Sequence, residues 1–203
     1  MQGQLDVDLD RTGRAQAAAA AEALVAVRPS VLVTSDLRRA FDTAAPVGVA
    51  TGLEPVLDPR LRELYLGTWQ GLTRVEAQAA HPQEHADWRA GRDVPRGGGE
   101  TYRDAGERAA ACVREHLAAV PAGGAMIAVT HGGTSRALLG VLLELPDTSW
   151  GRFAPLGNAC WSVLVEASWG WRLERHNTGL GPLVGPVAQS PVEARERPGA
   201  QAL

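Results

Sequence analysis

In Val129-Thr130-His131-Gly132-Gly133 a histidine stands at the end of an apolar run, just before a stretch of helical periodicity. Residues 125–129 read as a buried strand, the two glycines let the backbone turn closely, and residues 134–145 read as an amphipathic helix. In open α/β sheets ligands bind in the crevice beyond the carboxyl ends of the strands. The first amides of a helix that begins there lack intrahelical partners and, with the helix dipole, favour an anion such as phosphate. This puts His131 at a mouth, although a lone loop histidine is also commonly a surface or structural residue. Ser35-Asp36-Leu37-Arg38-Arg39-Ala40 repeats the geometry: it follows the apolar run 31–34 and opens a helix that Ser35 or Asp36 can cap. Its arginines fall in the first turn, where the dipole disfavours a cation, so an arginine there serves a nearby anion. The planar guanidinium suits that task, donating two parallel hydrogen bonds to phosphate or carboxylate. Arg38 reads better as part of a solvated helix face. A third cluster, residues 60–71, holds glycines and aromatics that suggest a shaped loop. Glu63 there lies near two leucines, an apolar setting that could keep it protonated as a general acid; the competing reading is a salt bridge to a neighbouring arginine.

The elements that must position these groups follow from periodicity and turn residues. Residues 12–27 predict an alanine-rich helix with a narrow apolar stripe, residues 31–34 a strand, Val56-Leu57 a minor strand, and residues 73–89 one or two helices. Residues 101–120 predict a long helix, and residues 158–166 and 171–176 alternate as half-buried strands around Ser168-Trp169-Gly170. Gly97-Gly98-Gly99 lacks a preceding strand and the spacing of a dinucleotide loop, and reads as a hinge before the long helix. None of the other histidines follows a strand and opens a glycine turn: His81, His85 and His116 read as surface residues, and His176 ends the last strand without an assigned role. Cys112 on a helix and Cys160 in a strand read as small buried hydrophobes outside any metal or redox motif.

Five motifs in this order resemble the histidine phosphatase superfamily, the phosphoglycerate-mutase-like enzymes, from Gln2 to about Asn177. They are Gln2-Gly3-Gln4-Leu5-Asp6 with Gly13-Arg14-Ala15-Gln16-Ala17, Ser35 to Ala40 with Thr43-Ala44, Leu61-Arg62-Glu63 with Gly67-Thr68-Trp69-Gln70-Gly71, Gly97-Gly98-Gly99-Glu100, and His131-Gly132-Gly133. The resemblance implies an α/β fold, three layers α/β/α around a mostly parallel sheet, with helices in residues 73–89 capping the active site. It implies that Arg39 grips a phosphoryl group, Glu63 donates a proton to the leaving oxygen, and His131 contacts phosphoryl oxygens beside the nucleophile. Gln2, Gly3 and Gly132 complete the substrate-binding set, and residues 97–100 form a turn near the substrate mouth in which Thr101 supplies a hydroxyl. No metal and no cofactor is implied. Within the superfamily the chain is similar to phosphatases of glucosyl-3-phosphoglycerate, on residues 1–6, 35–40 and 66–73, with Gly157-Asn158-Ala159, Trp161, Trp171-Arg172-Leu173 and Asn177 adding to the likeness. The alternatives are a phosphoglycerate mutase, another small-molecule phosphatase such as one acting on a ribazole phosphate, or a catalytically dead phosphate-binding module.

The chain departs from the family in one respect. Members begin with a strand ending in Arg-His-Gly, whose histidine is the phosphorylated nucleophile, and no Arg-His-Gly occurs in this sequence. Residues 1–5 resemble the loop that follows that motif, so the expectation is a chain that starts about twenty residues late, through a misplaced start, and that is inactive as it stands. Residues 1–178 are expected to form the domain, lacking its first strand, and residues 179–203, rich in Gly and Pro, a flexible tail. The length of 203 residues, with 45% hydrophobic and 21% charged, fits one globular domain. A net charge of -3 gives no reason to expect nucleic acid or an anionic membrane and leaves a small phosphorylated metabolite as the expected partner, with a homodimer left open. No apolar run is long enough to span a bilayer and residues 1–4 are no signal peptide, which points to the cytoplasm.

Overall fold

The computed structural model describes residues 1–179, so the expected tail lies, from residue 180 on, outside the described residues. Three strands, β1 (Val31–Thr34), β2 (Val56–Leu57) and β3 (Met126–Val129), form a parallel sheet in the order β2-β1-β3. Because side chains alternate along a strand, successive residues face opposite layers. Leu32, Ile127 and Val129 pack with Ala21 and Val47, from helices α1 (Arg11–Leu24) and α2 (Arg38–Thr51). Val33, Met126 and Ala128 pack on the other side with Ala109, Val113, Leu138 and Leu142, from α5 (Tyr102–Leu117) and α6 (Gly132–Leu142). Both faces are therefore covered by helices, which is the expected α/β/α architecture. Full burial of a Leu32 or a Val33 side chain contributes about 1.5–3 kcal/mol.

The helices begin at recognisable caps. Asp10 accepts from Gly13 N at the start of α1, and Thr101 with Asp104 closes a capping box on α5. The hydroxyl of Thr101 lies 2.6 Å from Asp104 within this capping box. Helix α2 is capped by neither Ser35 nor Asp36. Its Arg38 N–H donates to Asp6, 2.7 Å away, because the side chain of Asp36 is taken by Arg62 and that of Ser35 turns to other partners. Arg38 itself is exposed and pairs with Asp8.

Two short helices, α3 (Arg74–Ala80) and α4 (Pro82–Arg89), form the insert, and α7 (Asp147–Trp150) follows α6. Here the expectation for His85 fails. It is buried, with its ring 6.0 Å from that of Trp69 and 5.5 Å from that of Trp88, because α4 turns this face onto Trp69. Nor is Gly97-Gly98-Gly99 a simple hinge. Gly67 and Gly97 have φ of +47° and +59°, and a Cβ on Gly67 would lie 1.9 Å from Gly97 O, so the glycines let two loops meet backbone to backbone. His116 is only partly exposed, its Nε2 being 3.2 Å from Asp58.

The last strands, β4 (Trp161–Ala167) and β5 (Gly170–Thr178), pair antiparallel, and Leu164 and Trp171 pack against the α5/α6 cluster. Cys160 precedes β4 instead of lying within it. Among the described residues β3 has a strand partner on one side only, and so does β4. The two unpaired edges face a common groove of about 1470 Å³. For that reason β3 is only partly buried along its length, where the sequence predicts a buried strand.

Candidate active site

The groove gathers all six residues singled out from the sequence: Gln2, Gly3, Arg39, Glu63, His131 and Gly132. Their positions follow from strand ends. Ser35 follows β1, and its N–H donates to Val129 O across the register that pairs Thr34 with Val129. That register places the loop after β1 beside the loop after β3, and His131 Nε2 lies 2.9 Å from Ser35 Oγ. Ser35 is fully buried, and its hydroxyl oxygen also accepts from Leu37 N. Burial pushes His131 down to about 4 against the pull of the Glu63 carboxylate, with Arg39 and Arg108 adding to the fall. The ring is therefore neutral at pH 7, and Nδ1 takes no hydrogen bond from the described residues.

Glu63 is not in the apolar setting that the sequence suggests, nor in a salt bridge. Its Oε1 accepts from Leu64 N and Thr134 N, both at 2.9 Å, with Thr134 Oγ1 3.2 Å away, while Oε2 accepts from Gly133 N at 3.0 Å. The carboxylate thus sits on the free amides at the start of α6, where the anion was expected to bind. Gly133 permits this approach: a Cβ there would lie 2.7 Å from Glu63 Oε1. Leu64 is buried beside it and closes one wall.

Arg39, in the first turn of α2, donates through Nη1 to Leu5 O (2.7 Å) and through Nη2 to Gly3 O (2.8 Å). It forms no ion pair with the described carboxylates, so it shapes the loop 2–6 and brings that loop to the groove as an uncompensated cation. Burial lowers its pKa, Glu63 and Asp6 pulling the other way, and a guanidinium remains charged at any working pH. Gly3 has φ +54°, and a Cβ there would meet Gln70 Oε1 at 2.5 Å. Gln70 in turn accepts from Gln4 N, and the Gln4 side chain donates to Glu63 O.

Several positioning residues escaped the sequence reading. Arg108 on α5 donates to Arg60 O and Glu63 O and pairs with Glu100, so it fixes the segment that carries Glu63. Arg62 grips Asp36 in a bidentate pair, at 2.7 and 2.5 Å, tying the loop after β1 to the same segment and holding Asp36 below the usual carboxylate range. Thr134 is fully buried and donates to Arg62 O. A helical i, i+4 match between Glu100 and Arg108 is absent from the sequence; only the folded loop brings them together. His176 is occupied by Ser162 Oγ (2.9 Å) and Ala154 O (2.8 Å), which gives it a structural role.

Away from the groove, Asp58, Cys112 and His116 present ligand atoms within 4.8 Å of one another, a grouping the sequence reading did not foresee. Asp58 is already engaged by Arg60 through Nε, Nη2 and the backbone N–H, and Arg60 continues to Glu115. That pairing holds Asp58 far below its ordinary range, and burial pushes the Cys112 thiol up to about 12. A guanidinium therefore fills the place of a metal cation in this network. Among the described residues no helix is long and apolar enough to cross a membrane.

Comparison with known proteins gives a consistent result. The family model described as histidine phosphatase superfamily (branch 1) matches residues 1–179. Glucosyl-3-phosphoglycerate phosphatase of Mycobacterium tuberculosis is 44% identical over 171 residues, covering 81% of this chain and 77% of the relative. The metal-independent phosphoserine phosphatase of Arabidopsis thaliana is 34% identical over 143 residues, covering 68% and 59%. Among solved structures, mycobacterial glucosyl-3-phosphoglycerate phosphatase in complex with inorganic phosphate superposes with a TM-score of 0.82 at 42% identity, covering 88% of this chain and 91% of that one.

Proposed function

The chain belongs to the histidine phosphatase superfamily, and from that premise we propose that its groove hydrolyses the phosphate monoester of a small metabolite, glucosyl-3-phosphoglycerate, through a phosphohistidine. The observation that carries this reading is the convergence of His131, Arg39 and Glu63 on one groove, with Glu63 held at the start of α6 beside His131. A phosphoryl group between them meets the Arg39 guanidinium and the neutral His131 ring, which donates a hydrogen bond without competing as a base. Fixed donors of this kind offset the charge on the equatorial oxygens.

In the first step a histidine nitrogen attacks phosphorus, the ester P–O bond breaks, and the leaving oxygen takes a proton from Glu63. Oε2, with a single donor, is the oxygen able to carry that proton, since Oε1 accepts two backbone N–H bonds. In the second step water attacks phosphorus, the P–N bond of the phosphohistidine breaks to free the imidazole, and a proton of the water returns to Glu63 as inorganic phosphate leaves. The family's Arg-His-Gly nucleophile is absent from this sequence, and the unpaired edges of β3 and β4 along the groove suit an additional strand that would bring it. Arg39, His131 and Glu63 supply the phosphate-binding and proton-transfer groups of this reading.

The test is a phosphatase assay on the purified chain and on a version extended at its N-terminus by a strand ending in Arg-His-Gly. Loss of a nucleophile costs several powers of ten in kcat, so the chain itself should show negligible turnover and the extended version should hydrolyse glucosyl-3-phosphoglycerate. Equal activity of the two would overturn the assignment of the nucleophile.

A further inference from the structure

One charged side chain in the groove has no role in the chemistry described so far. Arg96 is 5% exposed, it lines the same groove as Arg39, Glu63 and His131, and its guanidinium forms no hydrogen bond or ion pair with the described residues. Its Nε is shut off from solvent without an acceptor. The guanidinium lies on an aromatic platform, its carbon 4.8 Å from the centroid of the Tyr102 ring and 5.7 Å from that of Trp88. Tyr102 and Trp88 pack against the buried cluster that holds Leu64, the residue after Glu63.

A buried guanidinium without an anion is unfavourable, and native proteins rarely leave such a group unpaired. The nearby carboxylates do not relieve it. Glu84 accepts from Gly97 N, Asp93 accepts from Tyr102 N and Arg103 N, and Glu100 is engaged by Arg108 and Tyr65 N. The aromatic rings hold the guanidinium in place by cation–π attraction but supply no acceptor. A ligand anion entering the groove supplies the partner that the described residues do not. A single guanidinium balances a single charge, and its planar fork matches a carboxylate.

We infer that Arg96 is the receptor for a carboxylate carried by the substrate in addition to its phosphate, so that the groove selects phosphate monoesters of hydroxy acids. This rests on the phosphatase reading of the same groove and adds a specificity-determining residue to it. The groove then contains two anion sites, Arg39 with His131 for the phosphoryl group and Arg96 for the acid.

The experiment measures binding to the 203-residue chain by titration calorimetry, using 3-phosphoglycerate and glycerol 3-phosphate, which differ only in a carboxylate against a hydroxymethyl group. Wild type should bind 3-phosphoglycerate about tenfold or more tightly, the scale of one charge-assisted hydrogen-bonded pair. Arg96→Met, which keeps the stem on its aromatic platform, should erase that preference while glycerol 3-phosphate affinity moves by less than about threefold. Arg96→Lys should retain part of it. Equal binding of the two compounds by wild type, a measurement that needs no variant, overturns the inference alone, as does an equal loss of both in Arg96→Met. Binding of neither compound overturns this inference and the phosphatase reading together.

Discussion

The burial of His131 makes the stability of this protein depend on pH between about 6.5 and 4. In the unfolded chain the ring takes up a proton near 6.5, and in the folded protein only near 4. Between those values the unfolded state binds more protons, so stability rises with pH. The contribution is complete above about pH 6.5, declines as pH falls, and is lost by about pH 4. The difference of 2.5 between 6.5 and 4 corresponds to about 3 kcal/mol, of which about 2 kcal/mol is gone by pH 5. Asp36 and Asp58 act with the opposite charge sign and lower down: their pKa values are depressed below 3.8, so their stabilisation persists above that value and disappears as pH falls further. Urea unfolding followed by tryptophan fluorescence at pH 7.5, 6 and 5, in wild type and in His131→Gln, isolates the effect. Gln keeps a polar atom near Ser35 Oγ and cannot titrate. The stability difference, wild type minus variant, should fall by about 2 kcal/mol from pH 7.5 to pH 5. A difference constant within about 0.5 kcal/mol would refute the argument, because His131 would then titrate alike in both states. Saturating inorganic phosphate should raise the His131 pKa in an NMR titration, since an added anion favours the imidazolium.

In the extended protein, Glu63→Gln should slow hydrolysis of an alkyl phosphate by about 10²–10⁴-fold, and a nitrophenyl phosphate far less, because only the alkoxide needs a proton to leave. Comparison of kcat/KM for the two substrates tests this, provided P–O cleavage limits the rate; equal losses would reduce Glu63 to a binding or structural role. The same extended enzyme should retain turnover in excess chelator, and activity lost there and restored by a divalent ion would contradict the phosphohistidine mechanism. Outside the groove lining, a Cβ on Gly140 would lie 2.2 Å from the Trp150 ring. Gly140→Ala should therefore destabilise the fold by about 1–3 kcal/mol with phosphate affinity unchanged, which paired thermal melts and calorimetry would detect.

What the sequence determined by itself is the set of elements and the chemistry at their ends. Short apolar runs followed by Ser35-Asp36 and by His131-Gly132-Gly133 are local signals of strand, turn and helix, and the helix starts at Arg38 and Gly132 lie within two residues of the periodic pattern. Arg39, Glu63 and His131 stand out as candidates because residue type and position within a turn are local properties. The surroundings of those residues were not local. Leu61 and Leu64 flank Glu63 in sequence, yet the carboxylate is held by backbone amides, two of them, Gly133 and Thr134, about seventy residues later. His85 looked solvated from its polar neighbours, but packing of α4 on Trp69 buries it. The triplet Gly97-Gly98-Gly99 showed only freedom of the backbone; its close approach to Gly67 and Tyr65 exists once the two loops meet. Arg96 is the clearest case, since an arginine beside three glycines carries no sign of burial. Tertiary structure alone decides that its neighbours are two aromatic rings, that every nearby carboxylate is already taken, and that the residue lines the groove. The physical reason is the same throughout: periodicity and capping act over a few residues, whereas desolvation and hydrogen-bond pairing depend on groups that only the folded chain brings within reach.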